Sequence, residues 1–124
     1  MTSLIPISRR PDITVNVTGR IDITCRIARL LDLHPGDVID VCQSGPEYFI
    51  YLRHKAAEIR GRHEGQCFPT SRGGRGSYRT WSVRLARAIR AAGGFEDLVL
   101  RLPCGEAVTI NEKIYIPIII RCAL

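Results

Sequence analysis

The chain has 124 residues, 45% of them hydrophobic, and a net charge of +6 from 18 Lys/Arg against 12 Asp/Glu. That length holds one ordinary domain or two very small ones, and that apolar content excludes a globally disordered chain. No apolar run approaches the roughly 18 residues of a membrane-spanning helix, and MTSLIPISRRPD has no signal-peptide core, so a cytoplasmic protein without a membrane segment is expected.

Residues 1–12 read as a lead-in, with Pro6 and Pro11 discouraging regular structure and Arg9 and Arg10 adding charge. Ile13, Val15 and Val17 alternate with Thr14 and Asn16, as a half-buried strand requires. Thr18-Gly19 predicts a turn, and Ile21 and Ile23 a second strand. Thr24 is placed to cap a helix over residues 24–31 by accepting a backbone hydrogen bond. Its Ile27, Leu30 and Leu31 share one face, while Arg26 and Arg29 project from neighbouring positions. Pro35-Gly36 stops that helix, and Val38, Ile39 and Val41 begin a new strand. A turn at Ser44-Gly45-Pro46 leads to a strand over residues 48–52. Residues 55–62 fit a helix or a continuing strand equally well.

Residues 69–80, PTSRGGRGSYRT, predict a loop, because Gly, Pro and Ser/Thr dominate it. The loop holds an RGG-like run, Arg72-Gly73-Gly74-Arg75-Gly76, followed by Tyr78, Arg79 and Trp81. Arginine interleaved with aromatics suits a phosphate backbone carrying stacked bases. Residues 81–92 predict an amphipathic helix with Trp81, Leu85, Ala88, Ile89 and Ala92 on its core face and Arg84, Arg87 and Arg90 opposite. Ser82 or Thr80 would cap its start and Gly93-Gly94 its end, with Trp81 a core anchor. Strands over residues 98–102, 107–110 and 114–120 follow, with turns at Pro103-Cys104-Gly105 and Asn111-Glu112. The last run, IYIPIII, is apolar on both faces and is expected to be buried in a sheet or at a subunit interface, with Pro117 at an edge or bulge. Residues 27–52 and 89–120 both read helix, loop, strand, turn, strand, a hint of repeated topology.

The basic surplus is local. Residues 1–50 carry −1, residues 51–93 carry +8 and residues 94–124 carry −1. Sixteen of the 18 cations are Arg, which forks onto phosphate and stacks on bases, so an anionic partner is expected, nucleic acid before others. A merely solvated cationic face is the alternative. The five cysteines, Cys25, Cys42, Cys67, Cys104 and Cys122, show no Cys-x-x-Cys spacing and fit a reducing compartment, with Cys25 and Cys42 read as small core residues. His63-x-x-x-Cys67 offers too few ligands for a structural zinc site, so neither metal nor cofactor is expected. No catalytic constellation is present, and a non-enzyme is expected.

The stretch Gly19-Arg20, Ile21-Asp22-Ile23, Thr24, Ile27, Arg29, Leu31-Asp32-Leu33, Gly36-Asp37 and the strand from Val38 to Val41 resembles the AbrB/SpoVT family of swapped-hairpin DNA-binding domains. The resemblance runs without a gap over residues 13–55. Thr24 replaces a preferred Pro, Asp32 a preferred Gly, and Ala28 the first Arg of a DNA-contacting pair. It implies a homodimer of interdigitated hairpins that doubles Arg20, Arg26 and Arg29 about a twofold axis, unless the second half of the chain folds back as an internal partner.

The expected fold is therefore β-rich α+β. Residues 1–57 form an AbrB-like swapped-hairpin region, and residues 58–80 a basic Gly/Arg-rich connecting loop. Residues 81–124 form a helix plus β-strands packed on the first half as one compact unit. The resemblance implies duplex DNA binding, as a transcriptional regulator or as the antidote-like partner of a toxin. The expected contacts are Arg9, Arg10, Arg20, Arg26, Arg29, Arg72, Arg75, Tyr78, Arg79, Arg84 and Arg87. The alternatives are a module for RNA or single-stranded nucleic acid using the arginine-rich middle, and a protein–protein assembly domain using the hairpin fold as a scaffold.

Overall fold

A computed structural model describes residues 11–71, 74–94 and 96–120. It is a small, strand-rich α+β protein. The first half runs β1 (Ile13–Asn16), β2 (Arg20–Ile23), α1 (Cys25–Leu30), β3 (Val38–Ser44) and β4 (Glu47–His54). A single turn of 3-10 helix, Ala56–Glu58, leads into the second half. That half runs β5 (Phe68–Thr70), β6 (Ser77–Trp81), α2 (Val83–Gly93), β7 (Val99–Leu102), β8 (Val108–Ile110) and β9 (Lys113–Ile118).

The strands form two antiparallel sheets, ordered β5-β6-β2-β1-β7 and β3-β4-β9-β8. Each sheet is centred on a pair drawn from both halves: β2 against β6, and β4 against β9. Hairpins β1-β2 and β5-β6 flank the first pair, and hairpins β3-β4 and β8-β9 build the second. The same order of hairpin, helix, hairpin thus occurs twice, related by an approximate twofold between β2 and β6. Among the described strands, β7, added beside β1, has no counterpart.

The helix starts repeat the relation. Gly19, in the β1-β2 turn at φ 103°, lies so close to α2 that a Cβ there would sit 3.0 Å from Val83 Cγ2. Gly76, in the β5-β6 turn at φ 84°, lies so close to α1 that a Cβ would sit 2.9 Å from Cys25 Sγ. Val83 and Cys25 are each the first residue of their helix. The two halves therefore dock reciprocally, each helix on the other half's hairpin turn, where only glycine leaves room and tolerates the left-handed backbone.

Apolar alternation explains the core. Ile13, Val15, Ile21 and Ile23 point inward from one sheet and Ile39, Ile50, Ile116 and Ile118 from the other. Ile27, Ala28 and Leu31 of the α1 region and Ala86 and Ile89 of α2 join the same cluster.

Several expectations need correction. The segment 58–80 is not a plain connecting loop, since β5 and most of β6 lie inside it and Ser77 and Thr80 are buried. The second helix begins at Val83, because Ser82 Oγ accepts from Leu85 N–H (3.1 Å) and fixes the start there. Trp81 consequently ends β6 and is 58% exposed rather than a core anchor. Ala88 and Ala92 of the expected core face are exposed as well.

Thr24 sits at the first helix's N-cap but makes no capping bond, and its Oγ1 is buried without a partner. Asp32 adopts φ 55°, the left-handed conformation for which Gly is the relaxed residue. Cys25 and Cys42 are half-buried, whereas Cys67 and Cys104 are the buried cysteines among the described residues. In the run from Ile114, Ile116, Ile118 and Ile120 are inside and Tyr115, Pro117 and Ile119 on the opposite face are half-buried, while Ile114 on the inner face at the strand start is exposed. Pro117 accepts from Gly105 N–H (2.8 Å) on the side where β8 has ended, so its missing N–H breaks no ladder bond.

Candidate nucleic-acid interface

Aligning the helix starts makes the internal relation visible in the sequence. Thr24-Cys25-Arg26-Ile27-Ala28-Arg29-Leu30-Leu31 matches Ser82-Val83-Arg84-Leu85-Ala86-Arg87-Ala88-Ile89. The hydroxyl residue is the N-cap in both, Ala28 and Ala86 are buried, and so are Leu31 and Ile89. Arg26 with Arg84, and Arg29 with Arg87, occupy equivalent exposed positions. Aligning Ile27 with Ile89 hides this match, because it starts the comparison in the wrong turn of the second helix.

The four arginines differ in their engagement. Arg26 forks onto Asp12, Nε to Oδ1 at 3.0 Å and Nη2 to Oδ2 at 2.9 Å. Asp12 Oδ2 also accepts from the buried Cys104 N–H (2.8 Å), so this carboxylate ties α1 to the strand entry at β1 and to the chain after β7. The hydrogen bond to Asp12, opposed in part by desolvation, pushes the Arg26 pKa up. Arg26 is therefore a structural clamp before it is a ligand contact. Arg84 lies 3.6 Å from Glu64 Oε2 with its side chain largely in solvent. Arg29 and Arg87 make no ion pair with a described residue and leave their guanidinium groups available.

On the five-stranded sheet, Asp22 is shared by two arginines, Arg79 Nε at 2.6 Å and Arg20 Nε at 3.5 Å. One carboxylate between two guanidiniums orients both and leaves net positive charge. Arg75 and Tyr78 come together with Arg29 around an open cleft of about 460 Å³ between α1 and the β5-β6 hairpin. Asp32 also lines the cleft and is the acidic group at its rim. Burial pushes the Tyr78 phenol pKa up, which favours its neutral, hydrogen-bond-donating form. The structure thus brings Arg29, Arg75 and Tyr78 together and sets Arg20 with Arg79. Arg9, Arg10 and Arg72 lie outside the described residues.

Two exposed aromatics were missed by sequence periodicity. Phe68 is 52% exposed on β5, and Trp81 stands on the same sheet face. The signal for Trp81 was the strand alternation of residues 78–81, in which Tyr78 and Thr80 point in and Arg79 and Trp81 point out; Phe68 is placed only by the pairing of β5 with β6.

The Pro-Gly-Asp turn serves the fold. The buried Asp37 carboxylate accepts from His34 N–H and Ala56 N–H, both at 2.8 Å, with Lys55 Nζ 3.6 Å away. Cys67 is fully buried, and desolvation pushes its thiol up to about 12. His63 instead turns to the Glu64 carbonyl and the edge of the His54 ring. Among the described residues, no three His, Cys, Asp or Glu side chains gather as metal ligands, and no helix is long and apolar enough to cross a membrane.

The chain matches no family model, no curated protein and no solved structure.

Proposed function

We propose that this chain binds nucleic acid, duplex DNA first, through the arginine surface of its two helices and Arg75 at the β5-β6 turn. The observation that carries the reading is the recurrence of Arg29 as Arg87, exposed and without an ion pair to a described residue, on helices related by the twofold of the sheets. A repeating duplex backbone is a natural complement to a repeated cationic element, and each phosphate neutralised releases counterions. The AbrB/SpoVT resemblance supports duplex DNA over other polyanions and, as analogy, a role in transcriptional regulation or as an antidote-like partner of a toxin. Under this reading one chain supplies the two halves that two chains supply in swapped-hairpin dimers. Light scattering at micromolar concentration should accordingly return the 13.9 kDa monomer, and a stable dimer would contradict the one-chain arrangement.

The test is a triple variant, Arg29→Gln with Arg75→Gln and Arg87→Gln, titrated against a labelled duplex at about 50 and about 200 mM salt. Losing three phosphate contacts should weaken binding at least about tenfold at low salt and flatten the slope of log affinity against log salt by about 2 to 3. Binding and slope equal to wild type would remove the helix surface from the interface.

A further inference from the structure

The outer face of the five-stranded sheet carries a second feature, which the helix surface does not use. Phe68 pairs directly with Arg79 across β5 and β6, and Trp81, two residues beyond Arg79, projects from the same face. Phe68 and Trp81 are diagonal neighbours, and both are more than half exposed. Together with Arg62, His63 and Arg79 they line an open groove of about 600 Å³, within the range of small-ligand sites. The Arg79 guanidinium is held by Asp22, which fixes it beside Phe68.

Charge decides what such a groove suits. One cross-strand row runs Phe68, Arg79, Asp22, Thr14, Arg101 over the whole sheet. That row spans about 19 Å at the usual strand spacing. The next row places Trp81 opposite Arg20. Asp22, the acid of these rows, is already engaged by Arg20 and Arg79. Glu64, near the groove, receives the Ser82 hydroxyl at 2.9 Å and Arg84 at 3.6 Å. Exposed flat rings in a field of arginines, with the nearby carboxylates taken up, complement an anionic chain that carries aromatic bases. An apolar protein partner would leave these arginines desolvated and unmatched.

We propose that this groove stacks unpaired bases of a single-stranded nucleic acid, with Trp81 and Phe68 as platforms and Arg62 and Arg79 contacting its backbone. The proposal rests on the nucleic-acid reading above and adds a second ligand form on a second face. Stacking on an aromatic platform accepts any base, so little sequence preference is expected here.

Trp81 is the sole tryptophan of the chain, so its emission reports the groove directly. The full chain is titrated with oligothymidylate of about 15 nucleotides and, separately, with a duplex of that length, following emission and anisotropy together. Oligothymidylate should quench Trp81 in step with the anisotropy rise, and the duplex should bind with far less quenching. Trp81→Ala and Phe68→Ala should each weaken oligothymidylate binding about tenfold, and Trp81→Phe should stay within about threefold of wild type. Circular dichroism checks that each variant is folded, and these variants should bind duplex like wild type. The Arg29, Arg75 and Arg87 triple variant should keep the quench.

Oligothymidylate binding with unchanged Trp81 emission, or duplex binding without oligothymidylate binding, would overturn the stacking site and leave the helix reading standing. Equal quenching by duplex would also overturn it. Emission that shifts with protein concentration alone would assign the face to a second copy and overturn it. Binding to neither nucleic acid would overturn both readings.

Discussion

Replacing Gly65 with alanine should cost about 3 kcal/mol of stability or more and lower the melting temperature by roughly 10 °C. Gly65 sits at φ 82°, which disfavours any L side chain, and a Cβ there would lie 2.7 Å from the Ile39 carbonyl oxygen. That oxygen is backbone and has no easy retreat, since Gly65 O accepts from Ile39 N–H (3.0 Å) across the same contact. Gly65 also sets the entry of β5, followed at once by Gln66, buried Cys67 and the exposed Phe68, so the damage should reach the aromatic groove. Gly45→Ala is the control: it has positive φ but nothing within 4 Å of the added carbon. It should cost only about 1 kcal/mol. Thermal and denaturant unfolding of the two variants decide between a steric and a purely conformational cost.

Alkaline pH should destabilise the protein steeply, beginning near pH 9. Burial pushes both the Cys67 and Cys104 thiols from 9.0 up to about 12. Folding therefore keeps a proton on each that the unfolded chain releases. The sign follows from linkage: stability is full below the unfolded pKa and is lost as pH rises through the window from about 9 to about 12. Two such groups give a slope of up to about 2.7 kcal/mol per pH unit. Tyr51 and Tyr78, also raised chiefly by desolvation, add to the loss in the same direction at higher pH. Urea unfolding at pH 8, 9, 10 and 11, about one unit apart, measures the slope. Cys67→Ala with Cys104→Ala should lower stability at pH 8 but flatten the alkaline fall, and an unchanged slope would show that other groups carry it.

Much of the secondary structure was legible because it rests on local rules. Period-two alternation of Ile13, Val15, Ile21 and Ile23 marks the first hairpin, and the glycine at its turn, Gly19, follows from backbone sterics. The positive φ of both Asn111 and Glu112 fits the tight turn read between the last two strands. The failures share a cause. Trp81 satisfies helical spacing with Leu85 and Ile89 as well as strand alternation with Arg79, and only the Ser82 cap separates the two. The pairing of β2 with β6 bridges some 58 residues of sequence, and periodicity says nothing about which strand lies beside which. For the same reason Asp22 could not be linked to Arg79, nor Asp12 to Arg26, so arginines bound in the fold were indistinguishable from free ones. Of the expected contacts, Arg29, Arg75 and Arg87 keep open positions and the half-buried Tyr78 lines the cleft beside them, whereas Arg26 is largely committed to the structure.

The central claim is that the two equivalent helices form one surface for nucleic acid. Amide chemical-shift mapping of the chain with a short duplex at low salt tests it most directly. The largest shifts should fall on both helices, at Arg26 to Leu30 and at Arg84 to Ile89, and on the β5-β6 turn at Arg75 and Gly76. The four-stranded sheet, Val38 to His54 and Val108 to Ile118, should stay quiet. Shifts confined to that sheet, or to a single helix with the other unmoved, would contradict it.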